Sequence, residues 1–485
     1  MRFIVAFLLC FNFASHAAEP LPVPIQHALQ RARLPTSALA LVIAPLDSSR
    51  PPILYNADQP MNPASVMKLV TTYAALDLLG PVYQWPTELR SAATPANGLL
   101  AGDLYLKGYG DPKLTLERVW LMLRDLRAQD VREIRGDLVL DRSFFVLGPD
   151  NAVFDDDGNT PERPFLVGPD ALLLNFKSVR LRIAANASGI ATMLDPALPE
   201  IQIDNRLQVA PATDCALWKN KLALKVEDGG NAARILLNGS IPAGCQGERY
   251  LAALDHPVYS ASLIRTLWHE MGGVWSGGVR EGVVPENTPV LVSSLSPELP
   301  TYLRDINKYS NNLMARQVFL TLGAVTGATE EGSDTAQRAS AVIRHWLQNK
   351  GWRFDELVME NGAGLSRQSR ISARHLAQLL ADAGHSALAA EFVSSLPLVA
   401  LDGTMKKRLL GELLDGKAHI KTGSLKDVRS VAGYVQDATG NTQIVVAIIN
   451  HPRATEGIPV LDEVLRFAFD KTVSPAVLAL PTVAR

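Results

Sequence analysis

Asn62-Pro63-Ala64-Ser65-Val66-Met67-Lys68-Leu69-Val70-Thr71-Thr72-Tyr73-Ala74-Ala75-Leu76, closed by Gly80 and Pro81, is the stretch around which the rest of the chain falls into order. Apolar residues at Val66, Leu69, Val70, Tyr73, Ala74 and Leu76 recur at helical spacing, Pro63 suits a helix start, and Gly80 suits a stop. The spacing predicts a helix whose first turn carries Ser65 and Lys68. Residues three apart share a helix face, so the lysine amine can reach the serine hydroxyl. In a partly desolvated site the charged form of a lysine is disfavoured, which lets it act as a base. The helix N-terminus adds backbone N–H groups where negative charge develops. An S-x-x-K arises about once by chance at this composition, so by itself it is a weak signal. It is the only one in the chain.

Upstream, residues 38–57 read as a hairpin, with apolar Leu39 to Ile43, a turn at Asp47 to Pro51, and Ile53 to Tyr55. Downstream, Pro81 and Pro86 mark an exit from this first module. From Gly102 the pattern becomes strand (Asp103 to Lys107), helix (Thr115 to Gln129) and strand (Asp137 to Leu140), a β-α-β unit. Gly108-Tyr109-Gly110 invites a dinucleotide reading, but Lys113 stands at the third glycine position and the reading is rejected. Short alternating runs at Val179 to Ile183, Leu222 to Val226 and Arg234 to Leu237 predict a small all-β insertion. Helix returns at Ala261 to Met271. A strongly helical stretch follows Pro300, then strands at 418–421, 430–436 and 442–450 and a last helix near 460–470. The layout is nested: an α/β (α+β) chain whose outer domain (19–88 and 291–485) is split by an α/β domain (89–172 and 250–290), itself split by an all-β domain (173–249).

The N-terminus differs from the rest. Arg2, the apolar run Phe3 to Phe13 and small residues at Ser15, Ala17 and Ala18 read as a secretory signal peptide (1–18), too short to span a bilayer. Leu9 before Cys10 does not suit a lipoprotein site, so the mature chain is expected to carry no integral membrane segment. Removing the signal leaves Cys215 and Cys245, and two cysteines in an exported chain are expected to form one disulfide. A net charge of −2 with no Lys/Arg-rich run gives no case for nucleic acid. No histidine pair has metal-ligand spacing: His269-Glu270-Met271-Gly272-Gly273 lacks the second histidine of a zinc helix. No metal or other cofactor is expected.

Two further motifs give the first its meaning. Ser310-Asn311-Asn312 is an S-x-N ahead of a helical run, where Ser310 could equally serve as a helix cap. Lys421-Thr422-Gly423-Ser424 follows a strand and is the rarest of the three. A lysine and two hydroxyls on an exposed edge strand can bind a peptide C-terminal carboxylate, while Gly423 lets another backbone approach closely. In this order, each on a suitable element, the three resemble the S-x-x-K, S-x-N and K-T-G motifs of the serine penicillin-recognising enzymes. The chain is most similar to the class C penicillin-binding proteins, the D-Ala-D-Ala carboxypeptidase/endopeptidase family. Four segments carry that resemblance along nearly the whole mature chain: Asn62 to Leu69, Gly108-Tyr109-Gly110-Asp111-Pro112, Asn361-Gly362-Ala363-Gly364-Leu365-Ser366-Arg367 and Asp402-Gly403-Thr404-Met405.

The resemblance implies a penicillin-binding, transpeptidase-like outer domain, with an antiparallel sheet flanked by helices. It also implies a periplasmic enzyme that cleaves peptidoglycan stem peptides and is acylated by β-lactams. Carried over residue by residue, Ser65 is the nucleophile and Lys68 its base. Ser310 and Asn312 relay a proton and hold the substrate amide, Lys421 supports the relay, and Thr422, Gly423 and Ser424 form the carboxylate and oxyanion side. An acid that holds the free amine of the substrate's diamino acid falls in Asp155-Asp156-Asp157-Gly158, with Asp155 and Asp157 as candidates and a solvated acidic turn as the competing reading. Asn311 replaces the commoner Asp, Arg316 stands where many relatives have Glu, and Ser424 replaces the commoner Thr; none removes a functional group. A β-lactamase or esterase, and a non-catalytic peptidoglycan-binding scaffold, are the alternatives on the same fold.

Overall fold

The computed structural model describes residues 21–148, 162–211, 214–216, 218, 222–326 and 333–470. The expected signal peptide lies outside them. The outer domain is organised by a five-stranded antiparallel sheet, in the order Ala418–Leu425, Val428–Gln436, Thr442–Asn450, Leu39–Pro45, Ile53–Tyr55. Its central strands are apolar at nearly every position because both faces are covered, and alternation sorts their side chains between two cores. Leu39, Leu41 and Ile43 pack with Ile25 and Leu29 of the first helix (Val23–Ala32) and with Leu461, Val464 and Leu465 of the last (Ile458–Asp470). Ala40 and Val42 face the other core, with Leu376 and Leu380 of helix Ala373–His385. Each fully buried leucine, isoleucine or valine contributes about 1.5–3 kcal/mol.

On that second face sits helix Lys68–Leu79, whose residues from Lys68 to Leu76 are all buried. A helix apolar on every side belongs at the centre of a bundle. Helices Leu299–Tyr309, Asn312–Val325 and Thr335–Asn349 supply Ile306, Val318 and Ile343 to the same core.

The inserted α/β domain has a second five-stranded sheet, in the order Val279–Glu281, Leu138–Asp141, Leu104–Gly108, Pro86–Arg90, Val290–Leu295. The expected β-α-β unit is its centre: Leu104–Gly108 and Leu138–Asp141 pair in parallel, joined through helix Leu116–Ala128. Pairing of Pro86–Arg90 with Val290–Leu295 carries this sheet outward past the expected junctions at 88/89 and 290/291. Helix His256–Glu270 starts at His256 rather than Ala261. Asp255 precedes it and Pro257 falls in its first turn, where a missing N–H costs nothing; the apolar pattern alone could not reveal that start.

The all-β insertion holds two three-stranded sheets. Beyond the expected runs it contains strands Gly189–Asp195, Ile201–Ala210 and Gln246–Ala252, and Ile201–Ala210 pairs in parallel with Ala233–Pro242. Cys215 and Cys245 form a disulfide across a sequence separation of 30, with Cys245 buried in the insertion's core. Closing such a loop restricts the unfolded chain by about 3–4 kcal/mol. The Cys215→Ser/Cys245→Ser double variant should therefore lose several degrees in Tm. An unchanged melting curve would mean the bridge adds no stability.

The G-Y-G-D-P segment ties insertion to outer domain. A Cβ on Gly108 would lie 2.2 Å from the Ala171 carbonyl oxygen, and one on Gly110 (φ +81°) would lie 2.3 Å from the Phe145 ring. Only glycine fits at either position. Buried Asp111 then accepts from the Tyr302 hydroxyl on helix Leu299–Tyr309 at 3.0 Å and pairs with Arg118. Gln317, on the following helix, donates to the Asp170 carbonyl (2.8 Å) and accepts from the Asp170 N–H (3.0 Å). The two helices that flank Ser310 are thus anchored to the insertion.

Candidate active site

Ser65 does not lie in the α-helix. It sits in a single 3₁₀ turn, Ala64–Met67, and the α-helix begins at Lys68. The turn is entered through Ala64 at φ +48°, a left-handed conformation that disfavours any residue with a Cβ. Neighbours hold it there. The Ala64 N–H donates to Asn62 Oδ1 at 2.9 Å, and the Ser430 hydroxyl donates to the Pro63 carbonyl at 2.6 Å. Gly364 lies so close that an added Cβ would sit 1.9 Å from the Ala64 carbonyl oxygen. A strained turn fixed from several sides is a device for presenting one side chain, here Ser65.

Lys68 is fully buried, and its amine has three neighbours: Ser65 Oγ at 2.9 Å, Asn312 Oδ1 at 2.7 Å and the Ala363 carbonyl oxygen at 2.7 Å. Burial, followed by the charge of Lys421, pushes its pKa well below the ordinary 10.5. A neutral amine has two N–H donors and one lone pair. The two carbonyl oxygens can only accept, so they take both donors, and the lone pair is left facing the Ser65 hydroxyl. That is the arrangement a base needs.

Lys421 lies on strand Ala418–Leu425, the edge of the sheet, as expected. It is not exposed, however. The corner at Ser310 covers it, its Nζ donates to Ser310 Oγ (2.9 Å) and the Thr422 carbonyl (2.7 Å), and burial pulls its pKa to about 7. Its amine therefore offers no exposed contact to a carboxylate: of the three polar side chains in Lys421-Thr422-Gly423-Ser424, Thr422 and Ser424 are the accessible ones. Thr422 donates to Thr404 Oγ1 at 2.9 Å, which brings Asp402-Gly403-Thr404-Met405 to the rim.

Ser310 does not cap the helix that follows it. Asn311 does, accepting from the Met314 N–H at 3.0 Å. Ser310 ends the preceding helix at φ 56°, which frees its hydroxyl for Lys421.

Gly423 is where strand and nucleophile turn meet. A Cβ there would lie 2.2 Å from Ser430 Oγ, 2.5 Å from the Pro63 carbonyl oxygen and 3.1 Å from Ser65 N. Gly423→Ala should push the strand off the turn, slow penicillin acylation by at least about tenfold and cost about 1–3 kcal/mol. Stopped-flow acylation and thermal unfolding measure the two effects, and a wild-type rate would refute the close approach.

The structure thus brings together two hydrogen-bonded groups, Ser65–Lys68–Asn312 and Ser310–Lys421, near enough for the charge of Lys421 to act on Lys68, beside Thr422, Gly423 and Ser424. Asp155 and Asp157 lie outside the described residues. Residue-type reasoning did not find the Ala363 carbonyl, Thr404 or Ser430; a backbone carbonyl carries no signal of its own, although Gly362 and Gly364 on either side of Ala363 marked a turn.

Comparison with known proteins agrees with this geometry. The family model for D-Ala-D-Ala carboxypeptidase 3 (S13) matches residues 23–465. A D-alanyl-D-alanine carboxypeptidase of an Actinomadura species is 29% identical over 419 residues, covering 82% of this chain and 75% of that protein. The D-alanyl-D-alanine carboxypeptidase DacB of Haemophilus influenzae is 27% identical over 411 residues, covering 82% of each. In fold, the crystal structure of penicillin binding protein 4 from Haemophilus influenzae superposes with a TM-score of 0.74 at 24% identity, over 92% of this chain and 98% of that one. With a family model spanning the described outer domain and both insertions, and a serine-lysine pair at its centre, the chain belongs to the D-Ala-D-Ala carboxypeptidase 3 (S13) family.

Proposed function

We propose that this serine D-Ala-D-Ala carboxypeptidase works through Ser65, and that the observation carrying the assignment is the buried Lys68 amine whose two N–H groups are taken by carbonyl oxygens while its third direction faces the Ser65 hydroxyl. Neutral Lys68 accepts the Ser65 proton as Oγ attacks the carbonyl of the penultimate D-Ala. The N–H groups of Ser65 and Ser424 stabilise the oxyanion, each donor contributing roughly 3–4 kcal/mol; the tight seat of Gly423 against Ser65 N supports that pairing. Asn312 holds the substrate amide, and Ser310, bonded to Lys421, passes a proton to the leaving amine. Thr422 and Ser424 bind the terminal carboxylate. Water then releases the acyl group. The same steps cleave a cross-link when the leaving amine belongs to a neighbouring stem, so carboxypeptidase and endopeptidase action share one site.

A β-lactam presents a strained acyl-D-Ala-D-Ala-like amide to the same serine. One crystal structure of the Haemophilus protein holds such a drug. The signal-like N-terminus supports a periplasmic location, and no helix among the described residues is long and apolar enough to cross a membrane. The test is incubation of purified protein with a fluorescent penicillin, alongside assay of D-Ala release from an acyl-D-Ala-D-Ala peptide. A covalent band together with released D-Ala is the expected result. A protein that neither binds nor consumes the drug would be a scaffold.

A further inference from the structure

A groove of about 570 Å³ opens in the α/β insertion, within the size range of ligand sites. Helix His256–Glu270 lines it from a single face: Val258, Ala261, Ser262, Arg265, Thr266 and His269 follow one another at helical spacing. Strand Val279–Glu281 lines it too, joined by Pro199 and Glu200 from the all-β insertion. No residue of the three catalytic motifs does.

The strand supplies the first half of the argument. Val279–Glu281 is the outermost strand of its sheet and pairs in parallel with Leu138–Asp141. A parallel strand bonds one neighbour through every second residue. The Gly278 carbonyl accepts from the Leu138 N–H (3.0 Å), and the Gly282 N–H donates to the Leu140 carbonyl (3.2 Å). Alternation then turns the main-chain groups of Val279 and Glu281 toward the open edge. Such an edge is ordinarily blunted by charged side chains or proline. Here the charges are drawn off into ion pairs, Arg280 with Asp103 (2.6 Å) and Asp137 (3.3 Å), and Glu281 with Arg142 (2.6 Å). Val279 and Val283 meanwhile stay 40% and 66% exposed.

The second half is a guanidinium left over once the polar groups of the groove are accounted for. Glu200 accepts from the Ser262 hydroxyl, and His269 Nδ1 lies 3.0 Å from the Gly273 carbonyl oxygen. Arg265 donates through one Nη to the Gly277 carbonyl, but its Nε is buried without a partner, and no ion pair answers its charge among the described residues. A buried donor left unsatisfied costs about 1–3 kcal/mol, which an anion in the groove would relieve.

The geometry points to a docking site for an extended, acidic peptide segment of a partner protein. The peptide adds a strand to the edge at Val279–Glu281, seats an apolar side chain between that strand and helix His256–Glu270, and sets a carboxylate against Arg265. The open main-chain groups call for a peptide backbone, and the unanswered guanidinium calls for an acid; a neutral or basic segment would leave Arg265 as it is. The insertions thereby recruit a partner at a surface separate from the reactive serine.

The test is selection from a library of random short peptides with free C-termini, on the whole protein with its serine blocked by penicillin. Selected peptides should share an apolar residue and a carboxylate, and converting that carboxylate to an amide should weaken binding at least about tenfold. Arg265→Gln should bind the acid and amide forms alike. Val279→Pro removes an N–H that faces the open edge, a change edge strands tolerate, and should weaken every selected peptide at least about tenfold. Should that variant fail to fold, Arg265→Gln decides alone. D-Ala release should stay at the wild-type rate in both. A library that yields no binder, or binders that hold both variants as they hold wild type, overturns the inference. A dimer in sedimentation that Val279→Pro dissociates also overturns it, because the edge would then belong to a second copy. Loss of D-Ala release in step with binding overturns it as well, by placing the effect at the reactive centre.

Discussion

Replacing Ser65 with alanine should abolish covalent penicillin labelling and lower D-Ala release by about 10⁶-fold, the scale seen when an activated serine nucleophile is removed. Lys68→Met should lower acylation by about 10³- to 10⁴-fold, at the upper end of what a general base contributes. The two losses should not add, because serine and base act as one unit. Folding should respond differently. Ser65 is only partly buried and the variant keeps the turn, so its stability should stay near wild type. Lys68→Met removes an amine whose burial is costly but leaves the Asn312 and Ala363 oxygens without their donor. These effects oppose each other, and a change within about 2 kcal/mol is expected. Intact-mass spectrometry of the drug adduct and denaturant unfolding separate chemistry from folding. A drug adduct that persists in Ser65→Ala would remove Ser65 as nucleophile.

Much of this site was legible because it is built from residue types at fixed spacing. Ser65 and Lys68 meet through helical geometry, and Lys421 lies on a strand that apolar alternation announced. What escaped the reading was set by neighbours distant in sequence. Lys421 looked exposed because an edge strand ordinarily is; the corner at Ser310, about a hundred residues earlier, covers it. Ser310 looked like a helix cap until Asn311 was seen to hold that role. Strands Gly189–Asp195 and Ile201–Ala210 went unread although Ile201, Ile203, Leu207 and Val209 recur at a two-residue spacing; polar Asn205 interrupts the period, and of the two strands only Ile201 is fully buried. The Ala363 carbonyl could not be read at all, yet it completes the environment that makes Lys68 a base.

That environment also fixes a pH dependence. Lys421 is held to about 7 by burial, and Lys68 is pushed down by burial and then by the charge of Lys421. Two ammonium groups in one dry cluster repel, so above neutrality the pair holds at most one proton, and acidification adds the second. Only neutral Lys68 can accept the Ser65 proton. The second-order constant for penicillin acylation should therefore fall once the pH drops below the lowered pKa of Lys68, by up to tenfold per unit. Lys421→Met removes the neighbouring charge, so the Lys68 pKa rises and the acid limb should move to higher pH, on top of a lower plateau. Stability follows the same protons with a definite sign. Both lysines bind a proton less readily in the folded chain than in the unfolded one, so the unfolded state carries more protons between about 7 and 10.5, and stability rises with pH across that window. The burial cost of Lys421 is felt in full below pH 7 and is relieved as pH climbs toward 10.5. The advantage of Lys421→Met over wild type in unfolding free energy should accordingly shrink by about 1.4 kcal/mol per pH unit between pH 7.5 and 9.5. Urea unfolding of both proteins across that range measures it. A difference that does not change with pH would mean that Lys421 keeps one charge state across that range in its buried site.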